Sequence, residues 1–216
     1  MKKLFFASLM VFMMTAGVFA QDAQRPITAG KVGLSFFTAE KILDLFMTEG
    51  ALKSSFVEYN GISLIWHVTD SIALEPAVFF SFWDTTYTNN SGQSNTDDYM
   101  TGGAALGIFY YSNLSGGAYM YVGPRGDYLR MEETDNDTDG SYDETKTNGF
   151  GISLVLGLKY MFNAHVGIFG DISAGYYITQ RDYYAYDNTG SQTSHTEREA
   201  NSFVLSKGLV GVSLYF

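Results

Sequence analysis

The sequence predicts an all-β fold, an eight-stranded antiparallel up-and-down barrel that crosses a membrane. Three observations carry that reading. Apolar residues alternate with small or polar ones at period two along most of the chain. The connections between the alternating stretches run short, long, short, long, as in a barrel with one plain rim and one decorated rim. The less apolar face is dense in Gly, Ala and Ser, where a water-facing strand would carry Lys, Glu, Asp and Gln. The composition agrees: of 216 residues 17% are charged and 16% aromatic. Tyr 16 and Phe 17 supply ample apolar area to bury, so disorder is excluded.

The first twenty residues read as a targeting segment. Lys2 and Lys3 form a positive start, Leu4 to Ala16 is apolar and uncharged, and Val18 and Ala20 stand at the -3 and -1 positions before Gln21. A secretory signal peptide cleaved after Ala20 is expected, and an uncleaved anchor is the alternative. Residues 21–27 are then a periplasmic N-terminal segment and 28–216 the barrel. No later run approaches the ~18 apolar residues of a membrane helix. A membrane location therefore requires a closed barrel, because backbone groups in lipid need internal partners.

Strands are expected near 28–38, 56–68, 72–86, 99–112, 116–132, 147–162, 165–184 and 200–216. Tight turns are expected at Thr69-Asp70-Ser71, Asn113-Leu114-Ser115 and Asn163-Ala164. The long polar connections fall at 39–55, 87–98, 133–146 and 185–199. One face carries Ile62, Leu64 and Trp66, or Ile152, Leu154, Leu156 and Leu158, or Val204, Val210, Val212 and Leu214. The other carries Gly151, Ser153, Gly157 and Lys159, or Gly167, Asp171, Ser173 and Gly175. The small face suits the crowded lumen of a narrow barrel and the apolar face suits lipid. Trp66, Phe80, Phe82, Tyr110, Tyr160, Phe162 and Tyr176 near strand ends suit interfacial girdles.

The inward face is expected to hold Lys31, Glu75, Arg125, Asp127, Lys159, Asp171, Arg181 and Lys207. An unpaired buried charge costs several kcal/mol, so these groups should pair with each other, with Tyr hydroxyls or with water. The structural reading is a polar core that fixes register. The functional one is a narrow ion path, which an eight-stranded barrel rarely leaves open.

The end of the chain, Val210-Gly211-Val212-Ser213-Leu214-Tyr215-Phe216, alternates apolar residues and stops on Phe. It looks like the C-terminal signature of Gram-negative outer-membrane barrels, with Val212, Leu214 and Phe216 as the assembly signal. Asp70-Ser71-Ile72-Ala73-Leu74-Glu75-Pro76 and Tyr111-Ser112-Asn113-Leu114-Ser115 look like turn-plus-strand pieces of such barrels. The whole mature chain resembles the small outer-membrane β-barrel family, the eight-stranded OmpA/OmpX-like group. That resemblance implies residence in the outer-membrane lipid, assembly by the barrel-assembly machinery, termini in the periplasm and long loops outside. No peptidoglycan-binding domain is expected after the barrel.

Candidate chemistry is sparse. Asp135, Asp137, Asp139 and Gly140 match positions 1, 3, 5 and 6 of an EF-hand loop, but Lys146 stands where the bidentate Glu belongs. Calcium binding and a plain acidic loop are both open readings. His195 with Ser194 and Glu197 is the nearest approach to a hydrolase constellation at the decorated rim, and adjacent loop positions rarely make a triad. His67 and His165 read as rim residues. In Ala39–Met47, Ile42, Leu45 and Phe46 recur at helical spacing, so a short amphipathic helix competes with extension of the first hairpin. Cysteine is absent, which excludes disulfides and thiol chemistry. A net charge of -10 opposes nucleic-acid binding. The expected role is structural or surface-interacting, through acidic external loops that meet an extracellular ligand, with no enzymatic activity and no cofactor. A small-solute or ion pore, a lipid-modifying enzyme and a soluble lipocalin-like carrier are the alternatives.

Overall fold

The computed structural model describes residues 27–46, 59–88, 94–136 and 140–216. The signal segment and its cleavage site lie outside them. Eight strands follow in chain order: β1 Val32–Phe46, β2 Tyr59–His67, β3 Ile72–Thr88, β4 Ser94–Ser115, β5 Ala118–Asn136, β6 Tyr142–Met161, β7 Val166–Tyr186 and β8 Gln192–Tyr215. Each pairs antiparallel with the next, and β8 returns to β1 to close the barrel. Closure leaves no ladder edge, which is the condition for a sheet to stand in hydrocarbon.

The alternation sorts the side chains as the sequence predicts. Outward faces carry Phe36, Ile62, Leu64, Trp66, Phe80, Leu106, Ile108, Leu154, Leu158 and Val210 among others, with Phe82 at 68% and Phe150 at 65% exposed. A water-soluble surface does not carry so large an apolar band. Ser35, Ser63, Ser153, Ser173, Ser213, Thr147 and Lys159 are buried inside. The exterior of a soluble protein is inverted, and among the described residues the polar outer surface of a lipocalin-like barrel is not observed at the level of the apolar band.

The lumen is packed by aromatic rings laid over glycines of the neighbouring strand. Phe37 lies over Gly61, Phe79 over Gly103, Tyr177 over Gly151, Tyr121 over Gly157 and Phe169 over Gly211. A Cβ at Gly61 would overlap the Phe37 ring. Small and large residues must therefore alternate across strands for a narrow lumen to fill.

Several boundaries differ from expectation. The β4–β5 turn sits at Gly116 (φ 54) and Gly117 (φ 87), not at Asn113-Leu114-Ser115. Two consecutive positive φ values match a two-residue hairpin whose twist follows that of the strands, and glycine adopts them without strain. The polar stretches expected as loops at 87–98, 133–146 and 185–199 are mostly strand. β4, β5, β6, β7 and β8 continue in register well past the apolar band, through pairs such as Thr86 with Thr96 and Tyr142 with Tyr186. Beyond lipid nothing requires an apolar face, so hydropathy fades while the Thr- and Tyr-rich ladder persists. Of the two readings of Ala39–Met47, a short helix and an extension of the first strand, the strand is observed: β1 continues to Phe46, pairing with β8 through several register shifts, and Met47 lies outside the described residues. Strand pairing supplies partners for the backbone groups that a lone helical turn would leave open.

One bulge revises the faces of β8. Around Gly208, at φ 125, the register slips relative to both neighbours. An extra residue reverses the alternation beyond it. Phe203 faces outward opposite Tyr176, and Ser202 lies opposite Tyr177. The single apolar face read from Val204 to Phe216 therefore breaks at the bulge, where Val204 lies opposite the inward Gly175. Lys207 lies within the bulged stretch and its side chain is outside the description. Residues 27–31 cap the short-turn end: Ile27 is buried, and Ala29 N–H donates to Asp70 Oδ1 at 2.7 Å.

Candidate functional site

The polar groups of the lumen fall into three levels. At the short-turn end, Lys159 on β6 is 2% exposed and ringed by Tyr111 (β4), Tyr121 (β5), Phe169 (β7) and Tyr215 (β8). Its Nζ lies 5.2 to 6.0 Å from the four ring centroids and donates to Tyr215 Oη at 2.9 Å and Tyr111 Oη at 3.3 Å. The ring faces put negative potential around the ammonium, which compensates part of its lost hydration. His67 packs edge-on against Tyr111 and sits 3.2 Å from Tyr215 Oη. It is a fully buried lumen residue, not a rim residue as expected. Side chains from six strands thus close this end.

The middle level is a charge network. Arg125 and Asp127, two residues apart and so on one face of β5, form an ion pair at 3.0 Å. Tyr177 Oη donates to Asp127 at 2.9 Å, and Tyr121 Oη donates to Asp171 at 2.9 Å. Arg125 also donates to Ser173 Oγ at 3.4 Å, and Ser63 donates to Glu75 at 2.6 Å. Glu75, Arg125, Asp127 and Asp171 share a cavity of about 30 Å³ with Phe37, Phe79 and Phe109. That volume has room for about one or two waters and is no continuous channel.

The third level lies toward the extended end. Arg181 Nε donates to Thr147 Oγ1 at 3.3 Å and its Nη1 to Tyr183 Oη at 2.8 Å. Farther out, Asp97, Asp135 and Asp143 stand abreast on β4, β5 and β6. Partial burial, a hydrogen bond to Asp135 and the charges of Asp135, Glu133 and Asp98 raise the Asp97 carboxyl to about 6.

Of the eight charges expected in the lumen, Glu75, Arg125, Asp127, Lys159, Asp171 and Arg181 are there. Lys31 is not. It precedes β1 at the short-turn rim, donating to Ala164 O at 2.6 Å with its Nζ 5.6 Å from the Tyr215 ring. Of the calcium candidates, Asp135 is in β5, whereas Asp137 and Asp139 lie outside the described residues. Among the described residues no group of three or more acids and histidines is arranged to hold a metal. His195 stacks on Tyr184 at 4.6 Å and reaches Asp182 at 3.4 Å. Glu197 accepts from Gln180, and Ser194 takes the opposite parity on the strand, so the three residues do not converge. The ring cage around Lys159 escapes sequence reading, because its members lie on separate strands and meet only once register is known.

No protein-family model matches the sequence, and no curated protein does. Solved structures do match. The outer membrane protein OprG of Pseudomonas aeruginosa aligns at 15% identity over 89% of this chain and 98% of its own, with a TM-score of 0.59. A major outer membrane protein of Thermus thermophilus aligns at 15% identity over 87% and 100%, with a TM-score of 0.56. The chain has the fold of the small outer-membrane β-barrels. In an outer-membrane barrel the apolar band is the lipid-facing belt, the girdle residues Trp66, Tyr110 and Tyr160 flank it at the short-turn end, and Phe82 and Phe150 flank it at the other. Val212 and Leu214 then share the belt side of β8, and Phe216 follows just past its end, 73% exposed.

Proposed function

We propose that this protein is a barrel of the bacterial outer membrane, exported by residues 1–20, with a structural and surface-interaction role and a closed lumen. The observation that carries the reading is the pairing of an apolar exterior with a lumen stoppered by Lys159 and its rings. A protein with that exterior needs lipid around it, and one with that interior passes little through it. The strand extensions beyond the belt carry Asp97, Glu132, Glu133, Asp135, Asp143 and Glu144, and these acidic tips meet the extracellular ligand or neighbouring surface. The belt face of Val212, Leu214 and Phe216 is what the barrel-assembly machinery would read. Among the described residues no lumen set converges in the manner of a catalytic constellation, in keeping with a non-enzymatic role.

The test is a cell fractionation followed by electrophoresis and a bilayer recording. The full chain, expressed with its leader, should enter the outer-membrane fraction and migrate differently in SDS before and after boiling, because a closed ladder resists the detergent until heated. In planar bilayers it should give no steady conductance. Soluble periplasmic recovery without a heat shift would overturn the membrane reading in favour of a carrier. Discrete, lasting conductance would replace the closed lumen by a pore.

A further inference from the structure

We infer that the inner face of the extended end holds an oxyanion subsite made by Arg181 and Arg198, for a small solute bearing a carboxylate or phosphate group. The two residues stand directly opposite each other on β7 and β8. Both are on the inward side, as Arg181 follows the alternation of Tyr177 and Thr179 and Arg198 lies in the same row. Their guanidinium carbons lie 5.5 and 5.6 Å from the centroid of one ring, that of Tyr183. Like charges directly opposite across a ladder repel. Yet among the described residues neither guanidinium comes within ion-pair distance of a carboxylate, in a chain with 23 acidic residues to 13 basic. Glu133 stands one row farther out on the same inner face, level with Tyr183, and Asp97, Asp135 and Asp143 two rows out. Among the described residues the pair therefore lacks the counter-anion that its placement calls for.

The arrangement is built for one. Thr147 and the Tyr183 hydroxyl hold the Arg181 fork by Nε and Nη1, and Nη2 has no hydrogen-bond partner among the described residues. The Tyr183 ring is the surface on which both guanidiniums pack. Planar forks held in this way match the paired oxygens of carboxylate or phosphate. Because the side chains face the lumen and not the belt, a lipid headgroup cannot reach them, and the ligand is a soluble molecule entering from the extended end. The acidic row outside favours a ligand of one or two charges over a polyanion.

The protein, folded in detergent micelles and checked by its heat shift, is titrated calorimetrically with inorganic phosphate and with succinate. Saturable binding is expected, weaker at higher salt. Arg181→Gln or Arg198→Gln should each weaken it about tenfold or more, and Arg181→Lys several-fold, since an ammonium keeps the charge and loses the fork. Two results would overturn the subsite: no saturable binding of either probe up to about 50 mM, or binding unchanged in the double Arg→Gln variant. Variants that keep the heat shift remain informative, and a barrel that shifts on heating yet binds neither anion leaves the proposed function standing without this subsite.

Discussion

Lys159 shows how one side chain can close a barrel. Its ammonium has two phenolic acceptors and four ring faces as partners, and its stem fills the space between them. Truncation to Ala removes both the packing and the charge and should cost about 2–5 kcal/mol. Lys159→Met keeps the volume and should cost less. Urea unfolding in lipid vesicles ranks the two, and equal losses would mean that packing contributes nothing. Asp97 offers a second residue-level test. Its carboxyl is raised to about 6 from an ordinary 3.8, so the folded state prefers it protonated. The stability it lends the outer ladder is complete below the unfolded value, falls as pH rises from about 4 to about 6, and is gone above. Hydrogen-exchange protection of the β4–β5 extension, corrected for intrinsic rates, should drop over that window and stay level in Asp97→Asn. The charged lumen residues were legible one by one, because a charge amid Gly and Ser on an alternating strand has nowhere else to face. Their partners were not, since Tyr121 and Asp171 are fifty positions apart in sequence and two strands apart in the sheet.

Among the elements, β5 carries a sharp contrast. A Cβ on Gly123 would overlap the carbonyl oxygen of Ile108, a backbone atom that cannot yield without parting β4 from β5. One on Gly126 would lie 3.9 Å from its nearest neighbour, in ordinary contact. Gly123→Ala should therefore destabilise by about 1–3 kcal/mol or prevent folding. Gly126→Ala should stay within about 0.5 kcal/mol of the parent. Denaturant midpoints of the two variants decide it, and equal midpoints would refute the packing argument. Strand existence was plain from the alternation within the belt. Strand length was not, because outside lipid the ladder is held by backbone bonds and Thr–Tyr cross-strand pairs that leave no hydropathy signal. The Gly208 bulge was equally hidden: a lone glycine in a strand marks many things, and which of its flanks changes face depends on the neighbouring strands.

For the whole molecule, orientation in the bilayer is the property to measure. Trp66 lies on the outward face near the short-turn end of the belt, 47% exposed. In a Trp83→Phe background, which leaves a single tryptophan, its emission should be blue-shifted. Lipids brominated near the headgroup should quench it more strongly than those brominated at the chain ends. Emission insensitive to bromolipid would place this face in water. The strand extensions carry a consequence of their own. Past Ile178, β7 runs eight residues to Tyr186, still paired on both sides. At ~3.3 Å per residue and a tilt near 40°, that wall stands roughly 20 Å clear of the hydrocarbon. Display height and membrane thickness are then separate variables in this architecture. The rim can grow without disturbing the belt, provided that it grows in steps of two residues on facing strands, since an odd step would turn every later side chain inside out.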